Sequence, residues 1–281
     1  MLSKLQFFER NKLPLSKQLS AMIIHFEKYQ GTGNDFVMID NLSGQYNLLT
    51  IEQIAHLCDR RFGIGADGLI KINRISGYDF EVDYYNSDGS KSFCGNGARC
   101  AVKFAGSLGL SIADCRFLGI DGEHRAQYKN DLVYLDMLPV QTVDSVNDAF
   151  VLNTGSPHFV KLVDQLTTQD ILAYGKSIRY SERFKLEGIN VNLVQKKAAD
   201  LIEIETYERG VEDETLSCGT GATACALVLA TLENRIGDYE INVQVKGGNL
   251  KVAYAYLGNN SFENIQLIGP AEYVFKGTMH V

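Results

Sequence analysis

The sequence has no long apolar run. Stretches such as residues 224–230 are far too short to cross a bilayer. Positive charge is also in short supply. With 27 Lys and Arg against 34 Asp and Glu, the net charge is −7, which argues against nucleic acid or an anionic membrane as the main partner. No two of the six cysteines stand as C-x-x-C, and the five histidines are not grouped around them, so no structural metal site is expected. A disulfide framework is not expected either, because Cys58, Cys94, Cys100, Cys115, Cys218 and Cys225 are spread along a long chain, unlike those of a small secreted scaffold. Residues 1–21 carry Lys4, Arg10, Lys12 and Lys17 but no uninterrupted apolar core of secretory length. They are expected to be an appendage to a chain whose first strand-like run starts at Met22. The expected setting is the cytoplasm, with free thiols.

Prolines number only four, while 26 glycines punctuate short segments, many alternating with period two. Phe80, Val82 and Tyr84 fall on one face, with Glu81 and Asp83 on the other. Ile241, Val243 and Val245, then Leu250, Val252, Tyr254 and Tyr256, flank Gly247-Gly248-Asn249 and predict a hairpin. Segments 115–120, 123–129 and 132–138 predict an antiparallel meander. Helices are fewer. Thr50 with Gln53 makes a capping box ahead of Ile51, Ile54, Ala55 and Cys58. Segments 168–180 and 98–108 have helical stripes, and 222–232 is apolar all round, as in a helix enclosed by other elements. Many strands around a few buried helices predict an α+β fold.

The chain also repeats itself. Cys94-Gly95-Asn96-Gly97-Ala98 and Cys218-Gly219-Thr220-Gly221-Ala222 share C-G-x-G-A, 124 residues apart, and each opens a helix. Upstream, Thr32-Gly33-Asn34-Asp35-Phe36-Val37 resembles Thr154-Gly155-Ser156-Pro157-His158-Phe159-Val160 at an offset of 122–123. Matched landmarks in register predict a duplicated domain, with both glycine-rich turns facing one central cleft. A cysteine at such a turn sits where unpaired backbone N–H groups and a positive helix end converge, a setting that depresses a thiol pKa and binds anions. Two such thiols suit a two-base site, in which one removes a proton from a carbon and the other returns one to the opposite face. The helix ends would then stabilise the charge that develops between these steps.

At these residues the chain resembles the diaminopimelate epimerase family. The similarity runs from about Met22 to the C-terminus. It rests on Gly31-Thr32-Gly33-Asn34-Asp35-Phe36-Val37, Gly63-Ile64-Gly65-Ala66-Asp67-Gly68, Asn86-Ser87-Asp88-Gly89, Gly155-Ser156-Pro157-His158, Asn190-Val191-Asn192 and Tyr207-Glu208-Arg209-Gly210, together with the two cysteine motifs. The resemblance implies two similar domains, each a mostly antiparallel sheet wrapped around a central buried helix and related by a pseudo-two-fold duplication. Their expected extents are 22–139, completed by 269–281, and 140–268. It also implies interconversion of LL- and meso-2,6-diaminopimelate with no cofactor and no metal, and a homodimer. By the same match, Cys94 gives a proton and Cys218 takes one in the LL-to-meso direction. Gly95, Asn96, Gly219 and Thr220 cradle the reacting carboxylate, and Asn34 and Glu208 bind near its ammonium group. Asn86, Asn190 and Arg209 hold the distant end, and His158 and Glu208 tune the thiols.

Two departures stand out. Gly68 replaces a Gln common in the family, so any contact there is expected to be lost or to come from backbone or water. Ser156 replaces an Asn and keeps only a hydroxyl for the substrate. Cys100 and Cys225 fall inside the helices and are expected to be small buried hydrophobes. Competing readings are a proline or hydroxyproline racemase, a thiol redox protein and an amino-acid-binding protein. Asn86, Asn190 and Arg209 argue against the racemase, because a small ring substrate has no second charged end.

Overall fold

The computed structural model describes residues 22–234 and 236–281, so the expected appendage at 1–21 lies outside the described residues. Among the described residues four α-helices form: α1 (Ile51–Cys58), α2 (Gly95–Ser107), α3 (Ile171–Arg179) and α4 (Gly219–Glu233). The capping box starts α1, with the Gln53 N–H donating to Thr50 Oγ1 at 3.3 Å and the Thr50 N–H to Gln53 Oε1 at 3.0 Å. α3 starts later than its apolar stripe, because Asp170 accepts from the Leu172 and Ala173 N–H groups while Leu166–Thr168 forms a separate 3-10 turn. α2 and α4 start earlier than their stripes, at the glycine after each cysteine.

Among the described residues, fourteen of the seventeen strands form two series of seven. Ile23–Gly31, Asn34–Asn41, Gly68–Asn73, Phe80–Asn86, Cys115–Gly119, Gly122–Lys129 and Leu132–Asp136 pair in chain order. So do Ala149–Asn153, Pro157–Leu162, Asn190–Ala198, Leu201–Glu208, Gly237–Val245, Gly248–Gly258 and Ser261–Gly269. In both series the second–third and fourth–fifth pairings are parallel and the rest antiparallel. Even the register repeats at an offset of 122: Phe36 lies beside Gly68 as His158 lies beside Asn190, and Leu69 faces Tyr85 as Val191 faces Tyr207. This is the fold of a duplicated unit. The two series join edge to edge, with Leu135 opposite Leu267.

Each series also borrows a strand. Asp144–Val146, which follows the first series, pairs with the head of the second, and Glu272–His280, which follows the second, pairs with the head of the first. Each curved sheet closes on one helix. Phe36, Met38, Ile70, Phe80 and Phe117 pack with α2, and Val160, Val194, Ile202, Val252 and Phe262 pack with α4. Burying each such side chain contributes about 1.5–3 kcal/mol. Ala224, Ala226 and Ala101 are fully buried, so the sheets approach these helices closely, and a larger residue there would force them apart. Only the glycine-rich N-terminal turns are left to face each other.

Candidate active site

Cys94 and Cys218 are the N-cap residues of α2 and α4, both in extended backbone conformation. The Gly97 N–H donates to Cys94 Sγ at 3.4 Å. The two helix N-termini abut: Asn96 Nδ2 donates to the Ser217 carbonyl at 3.0 Å, and a Cβ on Gly219 would stand 3.4 Å from Asn96 Oδ1. Gly95, Asn96, Gly219 and Thr220 therefore form one continuous patch of first-turn backbone. Its N–H groups have no partner within the helices and suit an anion.

The side chains around the two thiols differ in kind. Asn34 Nδ2 donates to Asp67 Oδ2 at 2.6 Å, and a carboxylate only accepts, so the amide orientation is fixed. Asn34 Oδ1 then faces Cys94, which donates its thiol proton at 3.5 Å, and also accepts from Asn96 Nδ2 at 3.3 Å. Asp67 is itself held by Arg60 at 2.7 Å, which also grips Asp35. On the other side, Asn192 Nδ2 donates to the Phe159 carbonyl and to His158 Nδ1, both at 3.1 Å. His158 Nδ1 is therefore the acceptor nitrogen and Nε2 carries the proton, which it donates to Thr220 Oγ1 at 2.9 Å. That leaves the Thr220 hydroxyl hydrogen for Cys218 Sγ, 3.5 Å away. Cys94 thus meets an acceptor, and Cys218 meets a donor.

The expected drop in thiol pKa is not found. Burial dominates and raises Cys94 to about 11, although the Gly97 and Asn96 N–H groups pull the other way, and the charge of Glu208 adds to the rise. Cys218 is also pushed up by burial and by Glu208, against the Thr220 hydroxyl and the Gly221 N–H. Glu208 is raised by its own burial. His158, fully buried, is held neutral by desolvation, with its pKa lowered to about 3. Neutral His158 is linked to Cys218 through the Thr220 hydroxyl.

A third group of residues lies beside these. Asn190 Nδ2 donates to Ser156 Oγ at 2.8 Å, and Asn190 Oδ1 accepts from the Arg209 N–H at 2.8 Å. The exposed Arg209 side chain donates to the Glu187 carbonyl at 2.9 Å. Asn86 sits opposite Gly68, where Tyr84 Oη donates to Asn86 Oδ1 at 2.9 Å. The gap at Gly68 is filled by this tyrosine, since a Cβ there would come within 2.4 Å of its ring. The Tyr85 backbone carbonyl also closes on this place, 2.6 Å from such a Cβ. Among the described residues, no group of three or more His, Cys, Asp and Glu side chains is placed to hold a metal ion. A cleft of about 520 Å3 at the far end of α2, lined by Phe104, Leu108 and Lys276 among others, contains neither cysteine.

A family model described as diaminopimelate epimerase matches residues 26–137 and 150–274, which include both cysteine turns. The chain belongs to the diaminopimelate epimerase family. It is 48% identical over 255 residues to a diaminopimelate epimerase of Flavobacterium psychrophilum, covering 90% of this chain and 98% of that one. It is 40% identical over 259 residues to one of Chlorobaculum tepidum, covering 89% and 98%. Among solved structures, a phenazine biosynthesis protein of the PhzF family from Bacillus anthracis matches with TM-score 0.73 at 14% identity, covering 92% of this chain and all of that one. A hydroxyproline epimerase from Agrobacterium vitis matches with TM-score 0.64 at 12% identity, covering 92% and 91%. These two share the diaminopimelate epimerase-like fold.

Sequence reasoning did not assign roles to Asp67, Tyr84, Asn192 or Arg99 in this family member. The first three act by orienting another side chain, which residue type alone does not reveal. For Arg99 a signal was present, since the repeated motif carries Arg99 in one copy and Thr223 in the other.

Proposed function

We propose that this chain is a cofactor-independent epimerase that interconverts LL- and meso-2,6-diaminopimelate by thiol and thiolate proton transfer at one α-carbon. One observation carries the reading: the two cysteines cap abutting buried helices, one thiol facing an acceptor and the other a donor. In the LL-to-meso direction the Cys218 thiolate takes the α-proton and the Cys94 thiol returns its own to the opposite face, leaving thiol at Cys218 and thiolate at Cys94. The reverse direction exchanges the roles. The first-turn N–H groups of Gly95, Asn96, Gly219 and Thr220 hold the carboxylate on which negative charge grows, where a dry, preorganised site is most effective. Asn34 and Glu208 accept from the neighbouring ammonium group. Asn86, Ser156, Asn190 and Arg209 bind the distant amino-acid end, where Arg209 supplies a planar fork for a carboxylate.

The reading includes an active site between two units, 22–139 with 269–281 and 140–268, supported by the exchanged strands. It also places the enzyme in the cytoplasm, in lysine and cell-wall precursor synthesis; all six cysteines are free, as a reducing compartment favours. Among the described residues no helix is long and apolar enough to cross a membrane. A homodimer belongs to the proposal too, supported by the exposed Tyr273, Val274 and Phe275 on an outer strand.

The test is to incubate the reduced protein with LL-diaminopimelate in D₂O and follow the α-hydrogen. Deuterium should enter as the meso form appears, and Cys94→Ala and Cys218→Ala should each nearly abolish turnover. Intact thiols without exchange, or either variant at the unaltered rate, would overturn the proposal.

A further inference from the structure

Among the described residues Arg99 is the largest side chain that the fold buries completely. A guanidinium keeps its charge in proteins, and taking one out of water costs several kcal/mol unless a carboxylate offsets it. Among the described residues Arg99 has no carboxylate partner. Its donors are met by neutral oxygens: Nη1 by Asn96 Oδ1 at 3.0 Å, Nη2 by Thr32 Oγ1 at 3.2 Å and Nε by the Pro270 carbonyl at 3.2 Å.

The surroundings are shaped to admit it. A Cβ on Gly31 would stand 3.3 Å from Nη2, one on Gly269 3.0 Å from Nε, and one on Gly219 3.8 Å from Nη1. These glycines end a strand of the first series, end a strand of the second, and begin α4. Helical side chains lean toward the N-terminus, so Arg99 carries its charge back under the first turn of α2, against the first residue of α4. Two positive helix ends and a guanidinium thus meet at one place, an arrangement that is unfavourable until an anion joins it. Contacts continue to the second cysteine. Thr32 Oγ1 donates to Ser217 Oγ at 2.7 Å, and Asn96 Nδ2 donates to the Ser217 carbonyl, directly before Cys218. The matching position in the other half is Thr223, whose hydroxyl donates to the Gly219 carbonyl at 3.0 Å, so a single cation serves both turns.

We infer that Arg99 is a positioning residue whose unpaired buried charge favours a thiolate at Cys94 and a carboxylate at the two helix N-termini, and that it holds the Asn96 amide with its donor turned toward Asn34 and Ser217. The inference rests on the two-cysteine site proposed above. It explains why the fold accepts the desolvation of a cation here, a choice that stability alone does not justify.

The experiment compares Arg99→Gln, which can hydrogen-bond but is neutral, with Arg99→Lys, which keeps the charge but loses the planar fork. The readout is the pH profile of iodoacetamide alkylation at Cys94, followed by peptide mass, with thermal unfolding alongside. In Arg99→Gln the alkylation rate at pH 9 should fall about tenfold, a shift of about one pKa unit. Arg99→Lys should stay within about threefold of the unaltered protein although its Tm falls. A folded Arg99→Gln protein with an unaltered profile overturns the inference, and so does a tenfold loss in Arg99→Lys. If Arg99→Gln does not fold, Arg99→Lys decides by the same threshold. The alkylation readout does not depend on turnover, so failure on diaminopimelate would sink the proposed function and leave this test readable.

Discussion

Raising the pH probes the electrostatics of the site directly through Cys94. Burial lifts this thiol from an ordinary value near 9 to about 11, which is about 3 kcal/mol against the thiolate. At pH 8 an ordinary thiol is about 9% ionised, while Cys94 is only about 0.1% ionised, a difference of roughly two orders of magnitude. The thiolate is the form that reacts with iodoacetamide, so the sign is fixed: alkylation must rise with pH. From pH 8 to pH 10 the rate at Cys94 should climb about a hundredfold without levelling, where an ordinary thiol gains only about tenfold before its plateau. The assay is the rate constant for the Cys94 peptide by mass spectrometry, with reductant removed just before reaction. A profile that flattens by about pH 9 would refute the reasoning, because the helix end would then have outweighed burial.

Two further substitutions separate the roles of the groups around Cys218. Thr220→Val removes the hydroxyl that faces Cys218 while keeping the backbone N–H, and should lower kcat by about 10–100-fold, as expected for a misplaced proton carrier; steady-state epimerisation measures this, and an unaltered kcat would exclude Thr220 as the donor. His158→Phe places in the second half the residue type found at Phe36 in the first, and should lose about 1–3 kcal/mol by leaving the Asn192 and Thr220 groups short of a partner. Thermal unfolding would then show a Tm lower by several degrees, together with a reduced turnover, whereas equal stability would mean that those hydrogen bonds contribute nothing.

Much of the fold was legible because its signals are local. Period-two alternation gave the hairpin after Val245 and the meander from Cys115, and the capping box at Thr50 marked the start of α1. The duplication was visible as motif spacing, and the strand register repeats it residue for residue. The starts of α2 and α4 were less clear from the apolar stripes, since glycine is a poor helix former and hides the first turn. The thiol pKa was misread for a physical reason. The favourable helix end belongs to the local sequence, while the larger desolvation comes from the sheets and the opposite helix, which only the tertiary structure supplies. Tyr84 escaped notice for the same reason: it read as one more apolar position on a strand, and its hydroxyl gains meaning only above Gly68.

The duplicated scaffold would by itself present the same surroundings to both faces of a carbon, and the asymmetry comes from substitutions at matched positions. Phe36 answers to His158, Gly68 to Asn190, Asn86 to Glu208 and Arg99 to Thr223. Asn34 likewise answers to Ser156 and Asn96 to Thr220, so Cys94 faces the Asn34 carbonyl oxygen and Cys218 the Thr220 hydroxyl. Asn34 cannot reverse its amide without setting its carbonyl against the Asp67 carboxylate. Under the proposed two-base mechanism, a thiolate at Cys94 would meet this acceptor together with the Gly97 N–H, and a thiolate at Cys218 would meet the Thr220 donor. The two protonation states of the site are then unequal in energy, since burial raises both thiols and raises Cys218 further than Cys94. Two identical halves could not differ in this way.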